Sequence, residues 1–148
     1  MIRHAEPTDA ADIENLIQQG IQGTAAKAIS WWVERMASPN SLILLVFFKE
    51  KAVGTIVGQV VLDEAEIHDV VVESSFRQAG RGSELVTAFE EHAAHLGATH
   101  CFLEVRESNK NAKYLYAKHG FNTTSIRRDY YSDGEDALLM RKQLRALP

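Results

Sequence analysis

Between Val70 and Val105 the chain reads as a strand, a glycine-bearing loop, a helix and a second strand, and this order leaves few folds open. Val70-Val71-Val72 is β-branched throughout, and Arg77-Gln78-Ala79-Gly80-Arg81-Gly82-Ser83 follows it as a loop. A helix is expected from about Ser83 to Leu96, with Gly97 as its stop, and Cys101 to Val105 returns to strand character. A crossover of that kind makes the two strands parallel, the βαβ unit of an α/β fold.

The flanking segments add further strands and helices. Ile2 to His4 alternates as a short strand, and Thr8 stands where it can cap a helix carrying Ile13, Leu16 and Ile17 up to Gly20. A second helix, Ala25 to Met36, gathers Ile29, Trp32, Val33 and Met36 on one face and ends before Pro39. Leu42 to Phe48 and Val53 to Leu62 form a hairpin about Lys49-Glu50-Lys51, and Asp63-Glu64-Ala65 turns the chain into a strand from Glu66 to Val72. After the crossover, a helix from Asn109 to His119 meets its stop at Gly120. Strands near Ser125 to Tyr130 and Ala137 to Arg141 then flank an Asp133-Gly134 turn. No repeat, low-complexity tract or linker interrupts the chain, so one domain over positions 1–148 is expected. Its fold class is α/β, with a mixed, mostly antiparallel sheet of six to seven strands and about four helices.

Composition narrows the function classes. With 45% hydrophobic and 24% charged residues the chain can bury a core without staples. The longest apolar run, Leu42 to Phe48, is seven residues, whereas a membrane span needs roughly 18 or more. Met1 to Glu6 holds no apolar signal segment, and the single Cys101 excludes an internal disulfide. A cytoplasmic protein with no membrane partner is therefore expected. Residues 1 to 74 carry five basic and eleven acidic side chains, whereas residues 75 to 148 carry eleven and nine. No basic run looks like a nucleic-acid footprint, so the expected partners are a small polyanion for the second half and a cation for the first.

The loop from Arg77 to Ser83 has the features of a phosphate cradle. The first N–H groups of a helix lack partners and the aligned peptide dipoles favour an anion there. Gly80 and Gly82 let the backbone approach a ligand closely, and Arg77 and Arg81 add charge. A P-loop would need a lysine after the second glycine, and a dinucleotide loop would need a glycine where Leu85 stands. A plain connector with a glycine turn is the bland alternative.

Arg77-x-x-Gly80-x-Gly82 fits Arg/Gln-x-x-Gly-x-Gly/Ala and so resembles the pyrophosphate-binding segment of the GNAT acetyltransferases, and the resemblance extends over nearly the whole chain. Ile2-Arg3-His4-Ala5 with Asp9, Ile13 and Leu16 is similar to that family's opening. Leu103-Glu104-Val105-Arg106, Ser108-Asn109, Tyr114-Leu115-Tyr116 and Gly120-Phe121 are similar to its second half. From about Gln59 to Met140 the match tightens toward the ribosomal-protein alanine N-acetyltransferase branch, including Ile126-Arg127-Arg128-Asp129-Tyr130-Tyr131 and Gly134-Glu135-Asp136-Ala137. Ser30-Trp31-Trp32 stands where that branch usually has Phe-Pro-Trp-Ser/Thr. The resemblance implies a GNAT-like fold and acetyl-CoA as co-substrate. It also implies acetyl transfer to an amine by direct attack in a ternary complex. The acceptor it implies is a protein N-terminal α-amine, that of a ribosomal protein in this branch, with a small amine or a lysine as the other acceptors.

That chemistry needs a neutral amine, donors for the carbonyl oxygen and a proton for the departing sulfur. An α-amine with a pKa of about 8 asks less of a base than a lysine near 10.4. Glu104 lies in an otherwise apolar strand, Cys101 to Val105, at the strand edge where α/β sheets bind ligands, and the family counterpart is the proton acceptor. Its structural alternative is a solvent-facing carboxylate paired with Arg106. Tyr116 is the candidate acid, with core packing as its alternative. The resemblance assigns the oxyanion donor to backbone N–H groups of Val70, Val71 and Val72. The backbone of Gln78, Ala79, Gly80, Arg81, Gly82 and Ser83 is assigned to the phosphates, with Arg77 and Arg81 as charge. Asn109 suits both a helix cap and a bond to the cofactor arm. If Glu104 and Tyr116 were structural only, the chain would be an acyl-CoA-binding module. His92 and His95 share a helix face without a third ligand, so no metal is expected. Cys101 and His100 point to opposite faces of a strand and cannot act as a nucleophile–base pair.

Overall fold

The apolar runs of the first half are strands buried on both faces. The computed structural model describes residues 1–20 and 25–145. It contains, in chain order, β1 (Ile2–His4), α1 (Ala10–Gln18), α2 (Ile29–Ala37), β2 (Ser41–Phe48), β3 (Lys51–Val61), β4 (Glu64–Val72), α3 (Arg81–His95), β5 (His100–Arg106), α4 (Lys110–Lys118), β6 (Asn122–Arg127) and β7 (Ala137–Gln143). Leu42, Leu44 and Val46 pack with Leu85, Val86 and Phe89 of α3, while Ile43 and Leu45 pack with Ile13, Leu16 and Trp32 of α1 and α2. This alternation along one strand accounts for an unbroken apolar run: each face has its own helical cover.

The seven strands form one sheet in the order β1-β2-β3-β4-β5-β7-β6, in which only β4 and β5 are parallel. Seven strands, four α-helices and a βαβ centre agree with the expected architecture. Several boundaries differ. Asp9, not Thr8, organises the first helix: its carboxylate accepts the Glu6 N–H at 2.7 Å and pairs with Arg3 at 2.7 Å. The second helix begins at Ile29 rather than Ala25, because Glu14 accepts the Lys27 N–H and holds Ala28 extended. Glu64 and Ala65 belong to β4, leaving a turn at Leu62-Asp63, and α3 starts two residues early, at Arg81. The closing hairpin has no tight Asp133-Gly134 turn. β6 ends at Arg127, and residues 128–136 form a loop tied down by Arg106 on Asp133 and Glu135 and by Arg128 on Asp136.

One irregularity decides which way the middle of β4 faces. Val57 pairs with Asp69 but Gly58 pairs with Ile67, so His68 is an extra residue without its own partner. Ala65 and Ile67 therefore pack on the α3 side, whereas Val71 packs on the α1–α2 side. Gly58 allows this bend: a Cβ there would meet the Phe89 ring at 2.6 Å.

Candidate active site

β4 and β5 pair from Glu64↔His100 to Ile67↔Leu103 and then separate. Beyond that point β4 stays with β3 as far as Val72, and β5 stays with β7 as far as Arg106. The result is a wedge-shaped opening in the sheet. On its β4 side the Glu73 N–H bonds to Val53 at 2.8 Å, so the alternation of an antiparallel ladder makes Val71 and Thr55 the next bonded pair. Val71 thus spends its N–H on β3, while the amides of Val70 and Val72 face the opening. Of the three valines assigned as oxyanion donors, Val71 is excluded by this geometry.

At the end of β4 the chain makes a 3-10 turn, Ser74–Phe76, and enters the glycine loop. Gln78 (φ 65°) and Gly80 (φ 79°) are left-handed, with Arg77 at φ −73° between the turn and them. Left-handed residues in a turn can bring N–H groups to one side, the geometry on which backbone anion sites are built. A Cβ at Gly80 would meet nothing within 4 Å, so this glycine serves its backbone angle and not crowding. Glu84 is the first residue of α3 whose N–H is taken, by Gly80 at 2.9 Å. The amides of Arg81, Gly82 and Ser83 are the open start of a helix. Both arginines brace the loop: Arg77 donates from Nε to the Val72 carbonyl (2.8 Å), and Arg81 donates to the Phe76 carbonyl while lying over the Phe48 and Phe76 rings. The Ser83 hydroxyl is held by His119 at 2.8 Å.

Glu104 projects from β5 on the face opposite buried Cys101, Leu103 and Val105, with its side chain 30% exposed. Arg127, not Arg106, is its cationic neighbour, at 3.6 Å, and the Glu104 carboxylate raises the nearby Tyr130 phenol above its ordinary range. Arg106 instead binds Asp133 and Glu135. Tyr116 is 5% exposed, lies edge-on to Phe121 at 5.7 Å, and belongs to the core on the α3 side. Burial, reinforced by the nearby Asp69 and Cys101, raises its phenol far above the ordinary tyrosine range. Tyr116 thus stays protonated and is a strong candidate for a hydrogen-bond donor, but a reluctant one for full proton loss. Asn109 is the N-cap of α4, accepting the Ala112 N–H at 3.1 Å.

Three residues at this site had not been singled out from the sequence as acid, base or cofactor ligand: Arg127, Tyr130 and Asp69. Arg127 and Tyr130 stand in the Ile126-to-Tyr131 run that resembles the ribosomal branch, and nothing else in the local sequence marks them. Asp69 lies just past the last β4–β5 pair, and burial pushes its carboxyl up to about 6, with the Val70 N–H and His68 opposing. Elsewhere, His92 gives its Nδ1 contact to the Ala88 carbonyl, and burial pushes the Cys101 thiol up to about 12. Among the described residues, no cluster of three or more His, Cys, Asp or Glu could hold a metal, and no helix is long and apolar enough to cross a membrane.

An opening between parallel strands, with a glycine loop at a helix start on one end and a carboxylate on its rim, suits transfer of a group from a phosphate-bearing donor. Residues 11–121 match the model of the acetyltransferase (GNAT) family, and the chain belongs to that family. The [ribosomal protein bS18]-alanine N-acetyltransferase of Haemophilus influenzae is 34% identical over 126 residues, covering 83% of this chain and 84% of that protein. The Escherichia coli protein of the same name is 41% identical over 85 residues, but this alignment spans only 55% of the chain and 57% of that relative. The crystal structure of the Escherichia coli ribosomal-protein-S18-alanine N-acetyltransferase superposes with a TM-score of 0.86 at 28% identity, covering 100% of this chain and 96% of that one. Ard1 from Thermoplasma volcanium gives 0.83 at 28% identity, with 98% and 97% covered.

Proposed function

We propose that this protein transfers acetyl from acetyl-CoA to the N-terminal α-amine of a protein, by direct attack within a ternary complex. The observation that carries this reading is the opening between β4 and β5, with the left-handed glycine loop at one end and Glu104 on its rim. The loop amides from Gln78 to Ser83 suit the pyrophosphate, with Arg77 and Arg81 as supporting charge. The opening admits a narrow arm whose thioester carbonyl meets the amides of Val70 and Val72 as oxyanion donors. Asn109 caps α4 with its side chain, which leaves its amide nitrogen for the arm.

Glu104 accepts the proton that the amine nitrogen sheds, directly or through water. Arg127 and Tyr130 orient that carboxylate. Tyr116 donates a hydrogen bond to the departing sulfur, a role its raised pKa favours over complete transfer. The bS18-alanine N-acetyltransferases named among the relatives favour a ribosomal-type N-terminus as the acceptor.

The test is thiol release from acetyl-CoA with ribosomal-type N-terminal peptides, with N-blocked lysine peptides and with polyamines. Release with the first set alone is expected. Turnover confined to either of the others would reassign the acceptor, and acetyl-CoA binding without release would make the chain a binding module. Within the active enzyme, Glu104→Gln should keep acetyl-CoA affinity and lower kcat by about 100-fold or more.

A further inference from the structure

Asp69 is a carboxylate at the opening that the mechanism above leaves unused. The bulge at His68 turns it to the face shared by Val71, and Glu104 projects on that same face from the diverging strand. Its Oδ1 lies 3.9 Å from where a Gly20 Cβ would be, beside Val71, so it sits beneath the end of α1 and not in bulk water. The ionisable groups around it come from several elements. His68 on β4 is hydrogen-bonded to Arg35 of α2 and paired with Glu66. Tyr116 of α4 and Cys101 of β5 lie on the core side, and Glu104 with Arg127 lies across the opening. Among the described residues no cation forms an ion pair with Asp69 itself.

An acceptor that arrives as an ammonium must lose two protons, one before it attacks and one after. The geometry points to Asp69 as a second proton acceptor of the acceptor site, taking the first of these while Glu104 takes the second. This rests on the N-acetyltransferase reading. The ammonium passes one proton to the Asp69 carboxylate, which frees the nitrogen lone pair. That pair forms the C–N bond to the thioester carbon, and the C–S bond breaks with its electrons on sulfur. The surplus proton on nitrogen goes to Glu104 and on to solvent, while the departing sulfur, held by the Tyr116 hydrogen bond, takes up a proton from solvent. The proton on Asp69 leaves to solvent, so the sum is an amide, a thiol and one released proton. A carboxyl held near 6 is well matched to such a task at neutral pH.

The experiment is kcat/KM against pH for the wild type, Asp69→Asn, Asp69→Ser and Glu104→Gln, with one N-terminal peptide acceptor and with acetyl-CoA affinity measured for each. At pH 6.5 both Asp69 variants should be slower by about tenfold or more. At pH 9.5, above the α-amine pKa of about 8, the acceptor is already neutral and their deficit should close to within about twofold. The Glu104→Gln deficit should persist across the range. A deficit of Asp69 variants that is the same at every pH, or none at pH 6.5, overturns the assignment. Two variants of different size keep the ratio readable if one loses acetyl-CoA binding. A wild type that releases no thiol with any acceptor overturns the N-acetyltransferase reading itself, which is a different result.

Discussion

Two aspartates respond to acid in opposite directions, and each direction follows from its neighbours. Asp9 is buried, and its carboxyl is lowered by the hydrogen bond from Arg3, with the Glu6 N–H adding to it. Its stabilisation is therefore present above the unfolded carboxyl pKa and is lost as pH falls through the lower folded value. Asp9→Ala should cost about 1.5–3 kcal/mol at pH 7, measured by urea unfolding, and the difference should fade below about pH 3. Asp69 has a raised carboxyl, so its ionised form is the one the fold disfavours. Wild-type stability relative to Asp69→Asn should decline by on the order of 2–3 kcal/mol as pH rises from about 4 to above 6. A carboxylate retained at that cost is what a working group looks like. Tyr116→Phe should slow the chemical step about tenfold or more, whereas Tyr114→Phe, at a side chain on a residue 74% exposed, should change neither rate nor stability.

At the scale of elements, the loop before α3 does most of the positioning. Gly80→Ala puts a side chain on a left-handed residue without filling any void, so the strain falls on the loop conformation itself. Acetyl-CoA affinity should drop several-fold while kcat at saturation stays close to wild type, as isothermal titration and steady-state kinetics would show. This loop was legible from residue types because glycine, arginine and a following helix carry local physical meaning. So was Glu104, a carboxylate in an apolar strand. The closing hairpin was not legible: Asp133-Gly134 reads as a tight turn, yet Arg106, 27 positions before Asp133, ties down the loop. The facing of Asp69 escaped for a related reason. Alternation from Ile67 places it on the α3 side, and only the register slip at His68, with Gly58 against Phe89, moves it to the face of Val71.

Across the whole molecule, the uneven charge acquires a geometry. The acidic first half supplies Asp69, Glu66 and Glu64, the last two lining a shallow concavity of about 230 Å³ with Gln59, Val61 and Phe102. The second half supplies the loop arginines and Arg127. A cationic acceptor should therefore show a KM that rises with ionic strength, and one insensitive to salt between low and physiological concentrations would remove the electrostatic part of the reading. The alternation at the end of β4 also makes the molecule its own occupancy gauge. In deuterated solvent the Val71 amide, committed to Thr55, should exchange slowly with or without acetyl-CoA. Its neighbours Val70 and Val72 should lose their protons quickly until the opening is filled, and then become protected. Three consecutive resonances would thus report substrate entry, with the middle one as the built-in reference.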